Sequence, residues 1–192
     1  MLEVFLTTGA APYLLARGTA EQLADGEASK ALAIALNLIS LSEDKAADVC
    51  AVVLSNSSTA EITQWAEQVR MPNRIRDYAL LFSALRNLVL AGPLSAQGAM
   101  TWFNRADVWR KPERAQALLH LLKQLNLLPE PLRLALEAAQ EVDTAQIAQA
   151  NTSLQDLNTQ SVAAQKNPGE AIRIAIETAR LKAIEPFCAN AP

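Results

Sequence analysis

The chemistry open to this chain lies in its basic residues and where they fall. Arg70, Arg74 and Arg76 flank Pro72, while Arg105, Arg110, Lys111 and Arg114 flank Pro112, with Trp109 inside the second group. A proline that opens a helix leaves first-turn backbone N–H groups pointing outward at the positive end of the dipole. Arginines placed there suit a phosphate. An Arg/Lys cluster around an indole can grip a sugar-phosphate backbone through charge and stack an exposed base on the ring. Two plainer readings stand beside this one. Trp109 can be a core anchor with Asp107 capping or pairing with a neighbouring arginine, and the block as a whole can be a solvated face on ordinary helices.

The charge distribution marks out the same stretch. Residues 70–114 hold eight Arg/Lys against three Asp/Glu, a net of +5, whereas residues 1–69 hold three against nine, a net of −6. Residues 115–192 hold six against eight, and the whole chain sums to −3. An acidic chain with one basic block is polarised, which is the electrostatic footprint of a polyanion partner.

Catalysis on phosphates needs acidic metal ligands, a glycine-rich cradle or a nucleophile with its base. The acidic residues are dispersed at helix-surface spacing, with no Walker-type loop and no pair of aspartates separated by one residue. The single histidine, His120, is flanked by Leu118, Leu119, Leu121 and Leu122 and reads as a packed or boundary residue. One imidazole cannot make a metal site. Cys50 and Cys188 have neither zinc nor redox spacing and suit a reducing cytosol. No catalytic residue, metal ligand or cofactor is therefore assigned to this chain.

The elements that must position the basic groups read as helices throughout. The chain has 192 residues, half of them apolar and dominated by Ala and Leu, with few aromatics and glycines. That predicts an all-α fold with a core large enough to stand without disulfides. Apolar residues recur at helical spacing at Leu32, Leu36 and Ile39, at Ile75, Tyr78, Ala79 and Phe82, and at Leu118, Leu121, Leu122 and Leu125. Ser42 precedes a helix from about Glu43, Ser58 or Thr59 caps the next, and Pro72 opens another after Arg70 ends its predecessor. Gly92-Pro93 ends that long helix, and Ser95 caps the one carrying Trp102 and Phe103. Pro112 starts a helix to about Asn126, and Pro129 or Pro131 starts the next. Residues 144–167 form either a polar helix pair or a mobile connector. A last helix from Pro168 carries the stripe Ile172, Ala175, Ile176, Ala179 and Ala183, with Arg173, Arg180 and Lys182 outside it. The first eighteen residues lack a basic start, and Glu3 interrupts them, so neither a signal peptide nor a membrane span is expected. The expectation is a soluble, cytoplasmic protein.

The central residues also carry a family resemblance. The run MPNRIRDYALLF followed by FNRADVWRKPERAQALL resembles the C-terminal half of bacterial CCA-adding tRNA nucleotidyltransferases. There a Pro-Asn-x-x-Arg-Asp helix precedes a segment ending Asp-x-Trp/Phe-Arg-Lys/Arg-Pro-x-Arg. The matching positions are Pro72, Asn73, Arg76 and Asp77, then Asp107, Trp109, Arg110, Lys111, Pro112 and Arg114. The opening MLEVFLTTGA and the segment PGEAIRIAIETARLKAI resemble the entry to the body and the last helix of those enzymes. The resemblance implies a helical body over residues 1–92, related to HD-type phosphohydrolase domains, and a helical tail over 93–192 packed with it as one unit. It implies tRNA as partner, held at its acceptor and T stems through backbone contacts from Arg70, Arg74, Arg76, Arg105, Trp109, Arg110, Lys111 and Arg114. The catalytic head of that family, which uses Mg2+, ATP and CTP, lies N-terminal to such a region, so no activity is expected of this chain alone. Met1 would then be either an internal residue of a longer enzyme or a start.

One departure is sharp. Aligning AVVLSNSSTAEI with the HD element places Ser55 and Asn56 where its His-Asp pair stands, and no histidine precedes His120. Neutral Ser and Asn cannot replace imidazole and carboxylate as ligands for a hydrolytic cation. The downstream Glu-Ala-Asp and Arg-Gly element is also replaced, by LKQLNLLPEP. The alternative is a degenerate HD-type scaffold that docks another protein or forms a homo-oligomer through Trp65, Trp102, Phe103 and Phe187. On the RNA-binding reading, the helices opened by Pro72 and Pro112 should be adjacent, with their N-terminal ends near one surface.

Overall fold

The computed structural model describes residues 45–158 and 168–188, and among these the regular elements are helices. They are α1 (Lys45–Val53), α2 (Thr59–Gln68), α3 (Asn73–Leu90), α4 (Ala96–Ala106), α5 (Pro112–Gln124), α6 (Glu130–Gln140), α7 (Thr144–Asn158) and α8 (Pro168–Ile184), followed by a 3-10 turn at Glu185–Phe187. The all-α expectation holds. The readings placed on MLEVFLTTGA, on Leu32–Ile39, on Ser42 and Glu43, and on residues 159–167 concern residues outside the described ones. None of the described helices is long and apolar enough to cross a membrane.

The boundaries follow from local chemistry. Ser58 caps α2: its Oγ accepts the Glu61 N–H at 3.3 Å while the Glu61 carboxylate accepts the Ser58 N–H at 2.8 Å. This reciprocal box satisfies two otherwise orphaned groups. Ser95 Oγ accepts the Gly98 N–H at 3.1 Å and so caps α4, and Asp143 does the same for α7 through the Gln146 N–H at 2.9 Å. The polar stretch from Thr144 is thus one capped helix through Asn158. Pro72 is the N-cap of α3, Pro112 opens α5, and Pro129 is the N-cap of α6 with Pro131 in its first turn.

Two helices close in the same way without glycine. After α2, the Met71 N–H reaches the Ala66 carbonyl at 2.8 Å and the Arg70 N–H reaches Glu67 at 3.2 Å, with Arg70 at φ +51°. After α5, the Leu127 N–H reaches Leu122 at 2.9 Å and the Asn126 N–H reaches Lys123 at 3.0 Å, with Asn126 at φ +56°. Both are Schellman closures, whose left-handed residue is usually glycine or asparagine. Glycine does hold the left-handed turn after α3, where Gly92 has φ +114°.

The chain divides into two compact units. Of the described residues, one takes those up to Gly92 together with Arg105–Leu128; the other takes Pro93–Asn104 and those from Pro129 on. In the first, α3 packs along α1 and α2. Leu54, Ile62 and Ala79 form a buried cluster, covered by the half-buried Trp65, Met71 and Leu80. Phe82 and Leu85 on α3 and Leu118, Leu121 and Leu122 on α5 are fully buried, each contributing about 1.5–3 kcal/mol of burial free energy. The Tyr78 hydroxyl donates to Asp48 Oδ1 at 2.8 Å, tying α3 to α1, and Ser83 Oγ donates to the Ser57 carbonyl at 3.3 Å. α5 belongs to the same unit as α3.

In the second unit α8 packs on α6 and α7, and the 3-10 turn lies against α6 and α8. Leu132, Ala135, Leu136 and Ala139 bury one stripe of α6. Trp102 and Phe103 are buried, with ring centroids 6.0 Å apart in an edge-to-face arrangement. Two of the four residues of the expected docking surface, Trp102 and Phe103, are therefore core.

Candidate nucleic-acid interface

The first basic group is built on the turn between α2 and α3. The left-handed closure turns the chain at Arg70, Pro72 then sets the extended approach (φ −56°, ψ 135°), and its carbonyl accepts the first α3 bonds from Ile75 and Arg76. The N–H group of Asn73 falls before those bonds, among the first-turn donors that an α-helix leaves without an intrahelical partner. Arg70 and Arg74 are exposed, and Arg76 is half-buried. The Arg76 guanidinium donates to Asp77 Oδ1 through Nε at 3.1 Å and Nη2 at 2.9 Å. Arg76 is therefore partly neutralised by its neighbour, whereas the Arg70 side chain makes no hydrogen bond or ion pair among the described residues.

The second group is built on the turn between α4 and α5. Asp107 takes the left-handed conformation at φ +57°, and its carbonyl accepts the N–H groups of Arg110 (3.2 Å) and Lys111 (2.9 Å). Its carboxylate pairs with Arg110 on both oxygens, Nε to Oδ1 at 2.9 Å and Nη2 to Oδ2 at 2.9 Å. The hydrogen bond from Arg110 holds the Asp107 carboxyl below its ordinary range, and the charges of Arg110, Lys111 and Arg114 add to the effect. The same bond raises Arg110. Arg114 turns back and donates to the Ala106 carbonyl, through Nε at 3.1 Å and also through Nη2. That contact satisfies a carbonyl at the end of α4, so Arg114 holds the turn together.

The eight residues singled out from sequence thus separate by what already engages them. Arg76, Arg110 and Arg114 have partners within the chain, and Trp109 is half-buried rather than presented as an open stacking face. Arg70, Arg105 and Lys111 are exposed and make no ion pair among the described residues. The pairing of Asp107 with an arginine is the plainer arrangement anticipated beside the RNA reading, and it applies to Arg110 alone.

Sequence reasoning passed over Arg86, which is half-buried on the core-facing side of α3 among Ala79, Phe82 and Ser83. Burial pushes its guanidinium below the ordinary arginine range. Arg180, set outside the α8 stripe, is also half-buried and lowered by burial. The stripe itself is only half covered, and so flanking positions share its shelter. Its expected neighbours Arg173 and Lys182 are exposed.

At the position that the resemblance aligns with an HD element, Ser55 and Asn56 stand where ionisable ligands would be. Ser55 is buried, Asn56 is exposed, and among the described residues no three His, Cys, Asp or Glu side chains gather to hold an ion. His120 is exposed, not packed, with Nε2 3.1 Å from Gln124 Nε2. The donor set does not fit a hydrolytic cation.

No family model and no solved structure matches the chain. Among curated proteins it is similar to a protein named "Multifunctional CCA protein" of Vibrio vulnificus, with 33% identity over 142 residues, 68% of this chain and 31% of that one. Proteins of the same name from Shewanella denitrificans and Tolumonas auensis are each 42% identical, over 59 residues (30% of this chain, 14% of the relative) and 62 residues (32% and 15%). The chain spans less than a third of the length of these relatives. As its paired central motifs implied, the chain is similar in sequence to part of the multifunctional CCA proteins.

Proposed function

We propose that this chain is the tRNA-holding body and tail of a cytoplasmic CCA-adding tRNA nucleotidyltransferase. It grips the acceptor and T stems by their backbone so that a catalytic head works from a fixed distance. The observation that supports this best is the pair of turns leading into α3 and α5, which carry exposed cations on the motifs shared with those enzymes. A helical RNA stem offers side chains phosphates and 2′-hydroxyls in a shallow minor groove, not a readable major groove. A few arginines and lysines on rigid turns match that target. Nucleotide addition, with Mg2+, ATP and CTP, belongs in this reading to a head outside these residues. The helical body is a degenerate HD-type frame, with Ser55 and Asn56 in place of metal ligands.

The test is the affinity of the 192-residue chain for a tRNA transcript across a salt series. Phosphate neutralisation makes log affinity fall linearly with log salt, by roughly 0.7–0.9 per contact. The expected result is binding to unrelated tRNAs with similar affinity and a slope of about −2 or steeper. Absence of tRNA binding by folded protein would remove the RNA reading and leave a protein-docking or self-associating scaffold.

A further inference from the structure

Among the described residues, three non-glycine positions take the left-handed conformation: Arg70, Asp107 and Asn126. Asn and Asp tolerate it because their short polar side chains can bond locally, and Asp107 does so with Arg110. Arg70 has no such excuse. It stands at the left-handed position of the closure after α2, where glycine would form the same two backbone bonds without a Cβ clash. Its side chain is exposed and makes no hydrogen bond or ion pair among the described residues, so it returns no polar contact to the fold. A backbone conformation that disfavours its residue, held by a side chain idle within the molecule, is the pattern of strain kept for function.

We propose that Arg70 is a principal phosphate contact of this protein, held at the expense of stability because the left-handed turn fixes the direction in which its side chain leaves the surface. This rests on the RNA-holding reading above. The closure bonds at 2.8 and 3.2 Å lock the turn on both sides, so the guanidinium starts from a fixed Cα–Cβ vector instead of a mobile loop. Pre-orientation of this kind lowers the entropy lost when a long side chain is immobilised on a ligand. Asn126 occupies the equivalent position after α5 with a residue that fits the turn and carries no charge, and it serves as the internal control.

Stability and binding should move in opposite directions. Arg70→Gly in the full chain should raise the thermal midpoint by about 2–4 °C. It should also weaken tRNA-transcript binding about five- to tenfold and flatten the log-log salt slope by roughly 0.7–0.9. Arg70→Asn, which tolerates the same backbone, should lose the same affinity and reads the effect if the glycine variant folds poorly. Arg70→Lys should bind within about threefold of the parent, since the charge remains. Asn126→Gly should leave tRNA affinity unchanged. If Arg70→Gly and Arg70→Asn both bind as tightly as the parent, or if both are less stable than it, Arg70 is a structural residue and the proposal falls. Failure of the parent chain to bind tRNA would instead overturn the RNA-holding reading beneath it.

Discussion

The two units of this chain handle charge in opposite ways. Over the described residues the first holds ten Arg/Lys against six Asp/Glu, a net of +4, and the second holds four against eight, a net of −4. Arrangement differs more than number. In the second unit, arginines lie along helix faces between acids spaced to clasp them: Arg133 sits between Glu130 and Glu137, and Arg173 between Glu170 and Glu177, each at i−3 and i+4. In the first, the basic residues cluster at turns that lead into helices, and Arg70, Arg105 and Lys111 have no carboxylate partner among the described residues. An arginine clasped by two carboxylates gives little net attraction to a polyanion. Position along a helix therefore decides whether a cation serves its own surface or is available to a partner.

The strongest way to sharpen this contrast is to remove available cations from one unit and match the charge change in the other. Arg105→Ala with Lys111→Ala should weaken tRNA binding by about 30- to 100-fold near 0.1 M salt, with the slope reduced by roughly 1.4–1.8. Arg173→Ala with Lys182→Ala changes net charge equally and should cost less than about threefold. Comparable losses from both pairs would mean that net charge, not placement, governs binding.

A smaller effect of opposite sign should come from Asp107→Asn. The Asp107 carboxylate competes with phosphate for Arg110 through two 2.9 Å contacts, so neutralising it should tighten tRNA binding about three- to tenfold and steepen the salt slope by up to one contact. The pH dependence follows from the lowered carboxyl of Asp107. A depressed folded-state value means that the pair stabilises the protein above the ordinary carboxylate range and is lost only as pH falls through the folded value. Between pH 5 and 8 it should therefore contribute no change in stability or affinity. Weaker binding by Asp107→Asn would show that the carboxylate aims Arg110 instead of restraining it.

Much of the frame was legible in the residues. Ser58, Ser95, Pro72, Pro112 and Gly92 mark helix ends through local chemistry that acts over three or four positions, and each marks the expected end. The ends at Arg70 and Asn126 were read, but the left-handed closure at Arg70 was not, because its usual sign is glycine or asparagine and that position has neither. At the candidate interface, the types and spacing of the cations could be read, but their partners could not. Arg114 reaches a backbone carbonyl eight residues back at Ala106, and a carbonyl leaves no mark in sequence. Trp102 and Phe103 could equally have been a docking surface, since an aromatic on an amphipathic helix looks the same whether its face is covered or open.

The smallest effect on binding should come from changes to the frame. Ser58→Ala removes the capping box of α2 and should destabilise the protein by about 1 kcal/mol in denaturant melts. The folded variant should bind tRNA as the parent does. A loss of affinity parallel to the loss of stability would tie binding to the integrity of α2 and not to the cations beyond it.

The division of labour between the units is tested most directly by lysine acetylation of the 192-residue chain, read by mass spectrometry with and without saturating tRNA at low salt. Lys111 in the first unit and Lys182 in the second are both exposed, so both should react freely in the absence of RNA. With tRNA bound, Lys111 should be protected severalfold while Lys182 reacts at its unbound rate; protection of Lys182 with Lys111 still reactive would place the RNA on the acidic unit and contradict the account.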